Sequence, residues 1–218
     1  MIQWKEVDTV LLDMDGTLLD LHFDNFFWQD YLPKKWGERH LLDHESAKLR
    51  LVPRFRDKVG TLSWYCVDYW SENLNLDVME LKSDIEHLIQ LRPHSESLLK
   101  FLKGINIHTV MVTNAHEKLI DMKMKKTHID KYFSRIFCAH HLGAPKEDIG
   151  FWQRLSEELE FLPDRTVFID DNLAVLRTAR EFGIRHLFTI EQPDSCLPRR
   201  RISEFPAIES FEQLLNSY

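Results

Sequence analysis

Cysteine is scarce in this chain. Its 218 residues hold three, Cys66, Cys138 and Cys196, widely spaced and without a CxxC pair. An odd count at such distances gives no sign of a disulfide framework. The 11 histidines, His140 and His141 among them, show no HExxH or comparable ligand spacing and read as structural or exposed. Positive charge is not in excess either: the formal net charge is −7, which argues against a nucleic-acid partner. The one basic run, Arg199-Arg200-Arg201, follows Pro198 and reads as a solvated loop rather than a phosphate patch. No apolar stretch approaches the roughly 20 residues needed to span a bilayer. The start, Met1-Ile2-Gln3-Trp4-Lys5-Glu6, has no basic segment followed by an apolar one. No internal repeat or low-complexity tract stands out. A reducing cytoplasm is the expected setting, with neither membrane nor nucleic acid as partner.

What is present is a regular alternation. "TVLLD" (9–13), "HTVMVTN" (108–114), "RIFCAH" (135–140), "RTVFIDD" (165–171) and "IRHLFTI" (184–190) are short, apolar and rich in β-branched residues. Cys138 lies in one of these runs and reads as core. Helical spacing fills the intervals, as at Ile149, Trp152, Leu155 and Leu159, or in "NLAVLRTAREFG" (172–183), which Gly183 closes. About five strands alternating with helices imply a mostly parallel sheet covered on both faces. The right-handed crossover rule then leaves an α/β, three-layer, doubly wound, Rossmann-like core.

Residues 20–92 break the alternation. They contain no convincing strand, show helical spacing at Leu81, Ile85, Leu88 and Ile89, and hold Trp28, Trp36, Trp64 and Trp70. The segment reads as a helical insertion after the first strand, with Pro93 opening the next helix. Residues 1–19 and 93–218 would then be the core, and 20–92 a cap reached through short linkers near 19–22 and 91–94. Its aromatic residues read first as the core of a small helical unit. Trp28, Trp64 and Trp70 are candidates for a stacking surface.

Ligands of open α/β sheets sit outside the carboxyl ends of the strands. Collected there are Asp13 and Asp15 from the first strand, Thr113 and Asn114 from the second, and Asp170, Asp171 and Asn172 from "TVFIDD" and the residue after it. Lys146 of "GAPKED" stands just before a helix. Clustered carboxylates repel one another unless a cation is present, and Mg²⁺ prefers oxygen ligands, often sharing them with a substrate phosphate. Gly16 permits a sharp turn that would aim backbone N–H groups at an anion. The chemistry that fits is phosphoryl transfer through a carboxylate nucleophile. Asp13 would attack phosphorus and Asp15 would exchange protons with the leaving oxygen and then water. Thr113, with Asn114 beside it, and Lys146 would bind the phosphate oxygens. Taken singly, each motif has a plainer reading: Asp-Gly as a turn, Thr-Asn as a strand end and helix cap, Lys146 as a surface lysine, Asp170-Asp171 as a cap. Asp20 and Asp24 read as linker and cap-helix residues.

"DMDGTLLD", "MVTNA", "PKED" and "FIDDN", in this order, resemble the four motifs of the haloacid dehalogenase superfamily. "DTVLLDMDGTLLDLHFDNFFW", "WYCVDYWSE" and "TNAH" resemble more narrowly the GMP/IMP nucleotidases of bacteria. The resemblance implies an aspartyl-phosphate mechanism with Asp13 as nucleophile and Asp15 as acid/base. It implies Mg²⁺ held by the Asp13 side chain, the Asp15 backbone carbonyl and an aspartate of "DD". Relatives place the middle residue of that motif on the metal, which points to Asp171, with Asp170 behind it. The substrate implied is a small phosphomonoester, a purine nucleoside 5′-monophosphate. Sugar phosphatase, phosphoglycolate phosphatase and phosphomutase share the core motifs and stay open. Dehalogenation itself is not implied, because relatives with that activity resemble DxYGT, where this chain has Asp15. A non-catalytic regulatory protein would be expected to have lost the nucleophile, threonine or lysine, and all are present. The third motif reads "APKED" where many relatives have Lys-Pro-x-Pro, which leaves its loop shape open. The pattern is compatible with a monomer or a homodimer.

Overall fold

The computed structural model describes residues 2–215; Met1 and residues 216–218, at the ends of the expected core, lie outside the described residues. The chain enters through β1 (Thr9–Leu12) and then forms six helices without an intervening strand. These are α1 (His22–Phe26), α2 (Leu32–His40), α3 (His44–Arg56), α4 (Leu62–Tyr65), α5 (Val67–Leu74) and α6 (Val78–Asp84). A π-helical turn, Phe27–Tyr31, joins α1 to α2. The alternation then begins with α7 (Ser95–Gly104), β2 (His108–Thr113), α8 (Glu117–Thr127), β3 (Arg135–Cys138), α9 (Ala139–Leu142) and α10 (Ile149–Glu158). It ends with β4 (Thr166–Ile169), α11 (Leu173–Phe182), β5 (His186–Ile190), β6 (Ala207–Ile208) and α12 (Glu212–Leu215).

The strands form one sheet in the order β3-β2-β1-β4-β5-β6, and every pairing is parallel. The chain moves outward from β1 through β2 and β3, then returns to place β4 on the other side of β1. That reversal is a topological switch point, where helices leave on opposite faces and open a crevice. The continuous apolar runs of the central strands follow from cover on both sides. Leu11, Val110, Val112 and Phe168 pack with Phe151, Trp152, Leu155, Val175, Leu176 and Ala179. Val10, Leu12, Met111, Val167 and Ile169 share the other layer with α7 and α8, and this cluster continues without a break into Phe23, Phe27, Leu51 and Trp70 of the insertion.

Two details depart from the sequence reading. A sixth strand exists: β6 pairs with β5 at Thr189↔Ala207 and Ile190↔Ile208. Two residues after a proline carry no periodicity, so its signal is below what a pattern can show. The helix expected to open at Pro93 starts at Ser95, after His94 in the left-handed region at φ 64°. The entry and exit strands of the insertion run side by side. Leu19 and Leu91 form an antiparallel bridge, flanked by hydrogen bonds of 2.9 Å from Asp20 N–H to Gln90 O and from Arg92 N–H to Leu18 O.

Candidate active site

The register of β1 against β4 sets the first contact. Leu12 lies opposite Ile169, and Asp13 N–H donates to Ile169 O at 3.0 Å, so Asp13 and Asp170 leave the sheet abreast. Lys146 comes between them. Its Nζ donates to Asp13 Oδ1 and to Asp170 Oδ2, both at 2.6 Å, and to Val112 O at 3.2 Å. All three side chains are buried, with 5% exposure for Asp13, 1% for Asp170 and 2% for Lys146. The lysine backbone is fixed as well: Lys146 N–H donates to Asn114 Oδ1 at 2.8 Å and Trp152 Nε1 donates to Lys146 O at 2.9 Å. The loop carrying "APKED" is thereby fixed at Lys146, although neither proline of a Lys-Pro-x-Pro pattern follows it. Burial raises the pKa of Asp13 to about 6, with Lys146 pulling it down and Asp170 pushing it up. Burial lowers that of Lys146, but the two carboxylates more than offset this and hold it charged.

Asp171 differs from Asp170. Both oxygens of Asp170 are engaged, Oδ2 by Lys146 and Oδ1 by Asn172 N–H at 2.8 Å. Among the described residues, no hydrogen bond reaches the Asp171 carboxylate, and burial and the neighbouring Asp13 raise its pKa. Gly16 adopts φ +84°, and a Cβ there would stand 2.7 Å from Asp171 Cγ. The glycine therefore serves both the turn and the approach of that carboxylate. Asp13 Oδ2 is buried without a hydrogen-bond partner. Oxygens of Asp13, Asp170 and Asp171 lie within 4.8 Å of one another. An orphaned carboxylate oxygen in an all-oxygen set, with raised carboxylate pKa values around it, suits a hard divalent cation.

Asp15 enters a second network that the sequence reading missed. Lys123 Nζ donates to Asp15 Oδ1 and to Asp24 Oδ2, each at 2.6 Å, and Lys82 Nζ donates to Asp24 Oδ1 at 2.7 Å. Both lysines are almost wholly buried. Asp24 is thus more than a cap-helix residue: it ties α1 and α6 to α8 and, through Lys123, to Asp15. Burial pushes Asp24 up, but Lys123 and Lys82 outweigh it and hold this carboxyl far below the usual range. Burial raises that of Asp15, against Lys123.

Thr113 is buried at the end of β2, where its Oγ1 accepts Ala115 N–H at 3.1 Å. Asn114 Nδ2 donates to Glu147 Oε2 at 2.9 Å. Glu147 also accepts the Tyr65 hydroxyl of the insertion at 2.6 Å and Asn172 Nδ2 at 3.2 Å. Glu147 and Tyr65 give no chemical signal in sequence. Their role as a junction exists only in three dimensions.

Above these groups opens a cavity of about 640 Å³ bordered by Asp13, Asp15 and Asp171 and by Trp28, Trp64 and Tyr65 of the insertion. Its size falls in the range of about 300–1,000 Å³ common for small-molecule sites. Trp70 is core, 1% exposed, and props the other two tryptophans at centroid distances of 5.8 and 6.1 Å. Trp28 and Trp64 lie at 5.6 Å with 30° between planes. The basic run is corrected in part. Arg199 pairs with Glu209, but Arg200 turns to the cavity rim, where its Nη2 donates to Asp171 O at 2.8 Å and Ile190 O at 2.7 Å.

This is the α/β fold of a hydrolase with a carboxylate cluster at the carboxyl ends of its strands, lining a cavity. The model of the haloacid dehalogenase-like hydrolases matches residues 7–183, and the chain belongs to that family as a phosphatase-type hydrolase. It is 37% identical over 216 residues to the GMP/IMP nucleotidase YrfG of Escherichia coli, covering 99% of this chain and 97% of that protein. Its fold is similar to a HAD phosphatase from Thermococcus onnurineus, with TM-score 0.80, 19% identity, and coverage of 96% and 97%. It is also similar to the HAD-hydrolase YfnB from Bacillus subtilis bound to magnesium, with TM-score 0.66, 19% identity, and coverage of 96% and 97%. Among the described residues no helix is long and apolar enough to cross a membrane.

Proposed function

We propose that the chain is a Mg²⁺-dependent phosphomonoesterase acting through an aspartyl-phosphate on Asp13, and that its substrates are purine nucleoside 5′-monophosphates. The observation that carries the chemistry is Asp13 itself: Oδ1 is pinned by Lys146 while Oδ2 faces no protein donor, at the floor of the cavity. Asp13 forms a bond to phosphorus as the bond to the leaving oxygen breaks, and Asp15 gives that oxygen its proton. Asp15 then takes a proton from water, which attacks phosphorus and frees the Asp13 carboxylate and inorganic phosphate. Lys123 holds Asp15 in place for both transfers. Thr113, Asn114 and Lys146 cradle the phosphate oxygens. Asp13, the Asp15 backbone carbonyl and Asp171 would hold Mg²⁺, which when bound offsets charge on the phosphoryl group.

The reading with Asp171 on the cation and Asp170 behind it is supported by Asp170 having both oxygens committed within the protein. Asp171→Asn should weaken Mg²⁺ more than Asp170→Asn, whose effect is that of an outer partner, about 10- to 100-fold. Mg²⁺ titrations of the two variants, followed by calorimetry, check this. The reverse ranking exchanges the two assignments.

The purine reading is supported by the similarity to the E. coli nucleotidase and by the tryptophan wall of Trp28 and Trp64 over the cavity. A nucleobase offers a flat face to such a wall, and stacking on aromatics is worth about 1–3 kcal/mol per base in single-strand binders. The 6-oxo group shared by guanine and hypoxanthine would separate them from adenine, since a site built to bond such a group rejects an analogue lacking it. Phosphate release from a panel of metabolites, with and without EDTA, should show higher kcat/KM for 5′-GMP and 5′-IMP than for 5′-AMP, pyrimidine nucleotides, hexose phosphates or phosphoglycolate. A hexose phosphate or phosphoglycolate outperforming every purine nucleotide would remove the nucleotidase reading and leave the phosphatase chemistry standing.

A further inference from the structure

We propose that Cys66, His116 and His140 form a metal site, separate from the carboxylate cluster, that takes Zn²⁺ or a similarly borderline-soft divalent ion and clamps the helical insertion to the sheet domain. The sulfur and one ring nitrogen of each histidine lie within 4.8 Å of one another. They arrive from three separate parts of the chain. Cys66 stands between α4 and α5 in the insertion, His116 caps the start of α8, and His140 lies in α9. None of the three borders the cavity described above.

The second, independent observation is His140. Both of its ring nitrogens are buried and neither makes a hydrogen bond of good geometry. The residue as a whole is only partly buried, but ring nitrogens closed to solvent in that condition are costly, and a metal ligated by one nitrogen removes much of the cost. Burial and the adjacent His116 favour its neutral, ligating form, against a weaker pull from the Leu62 backbone. The two rings stand edge to face at 4.8 Å. Cys66 Sγ accepts Tyr69 N–H at 3.4 Å, an arrangement a metal-bound thiolate can keep.

One sulfur and two imidazoles match Zn²⁺ better than Mg²⁺, whose ligands are oxygens. Tetrahedral Zn²⁺ with bonds of about 2.0–2.3 Å holds its donors roughly 3.3–3.6 Å apart, so the three close in by at most about 1.5 Å on binding. Coordination through His116 Nε2, the nitrogen beside Asp68, keeps the long contact from Lys118 N–H to Nδ1 at 3.4 Å. The fourth position falls to water or to Asp68, whose Oδ2 is 3.7 Å from His116 Nε2 and whose Oδ1 holds Lys118 at 2.6 Å. The consequence is mechanical. Tyr65 and Asn114, which meet at Glu147, are chain neighbours of two of the ligands, so an ion here would brace the junction between insertion and core.

The test uses the full chain carrying Cys196→Ser, which removes the exposed thiol of a His22, Asp194 and Cys196 group, stripped by chelator and kept free of Mg²⁺. Added Co²⁺ should give thiolate-to-cobalt charge-transfer absorption at one equivalent, and Zn²⁺ should displace it. Zn²⁺ at a hundredfold excess over Kd should raise Tm by roughly 5–10 °C. A further Cys66→Ser change should abolish the absorption, and His140→Gln should weaken Zn²⁺ by at least about 100-fold, both with Asp171→Asn present to silence the carboxylate cluster. Absence of the charge-transfer band in the parent protein overturns the proposal, whether or not the variants fold. Zn²⁺ affinity unchanged in both Cys66→Ser and His140→Gln overturns it equally.

Discussion

Asp13→Asn is expected to abolish turnover while leaving the protein folded. The amide is isosteric with the carboxylate and its carbonyl can still accept from Lys146 Nζ, so the contact that joins β1 to the "PKED" loop survives as an ammonium-to-amide hydrogen bond. The substitution also removes one of several mutually repelling buried carboxylates, so Tm should stay level or rise. What disappears is the nucleophile. Loss of a nucleophile from an otherwise intact site lowers kcat by a factor on the order of 10⁴–10⁶. Hydrolysis of a chromogenic phosphate ester measures the rate. Trapping of beryllium fluoride, which mimics the phosphoryl group on a carboxylate, should occur only with Asp13 intact. A residual rate above about one part in a hundred, with deamidation excluded by mass, would end the assignment.

The second large effect is expected at Lys146, on stability and catalysis together. Its ammonium lies between Asp13 and Asp170 in a site almost closed to water. Lys146→Met keeps the volume and leaves two buried carboxylates facing each other. Breaking a buried pair from one side costs about 3–5 kcal/mol, which for a chain of this size lowers Tm by roughly 6–20 °C. Because the aspartates can protonate instead, the loss should shrink as pH falls, and a divalent cation should restore part of it. Turnover should fall about 10²–10³-fold, as when one fixed donor to a developing charge is removed. Thermal unfolding with and without Mg²⁺, and the separate effects on kcat and KM, are the measurements. Unchanged Tm together with unchanged kcat would show that the 2.6 Å contacts carry neither role, and a raised KM alone would mean uniform binding of the ground and transition states.

Much of the core and the placement of the motif residues were legible in sequence, because both depend on local rules. A strand buried on two faces must be a continuous apolar run, and a polar group at its end must face a crevice. Hence Asp13, Thr113, Lys146 and Asp170 could be collected before any coordinates, and the structure brings them together. Gly16 was legible as a turn residue, but the packing of Asp171 against it was not. β6 escaped because two residues do not make a period. Lys123 escaped for the opposite reason: in "MKMKK" it looks like any lysine on a solvated helix face, and it is buried only because α1 brings Asp24 over it.

The chain alone determined the layered α/β core, the position of the helical insertion after the first strand, the three groups of polar residues at strand ends, and Lys146 in the loop before a helix. Those features follow from hydrophobic periodicity and from backbone geometry, which act over a few residues at a time. The tertiary structure alone decided which charges meet. It bridged Asp13 to Asp170 through Lys146, Asp15 to Asp24 through Lys123, and Tyr65 to Asn114 through Glu147. It also turned Arg200 to the rim and set Cys66, His116 and His140 side by side. Electrostatic and ligand contacts act through space between residues far apart in the chain, 108 positions for Lys123 and Asp15 and 133 for Lys146 and Asp13, and no local pattern encodes such a distance. The sheet register brings Asp13 and Asp170 abreast, and the packing of the insertion on the core brings Asp24, Tyr65 and Cys66 to their partners.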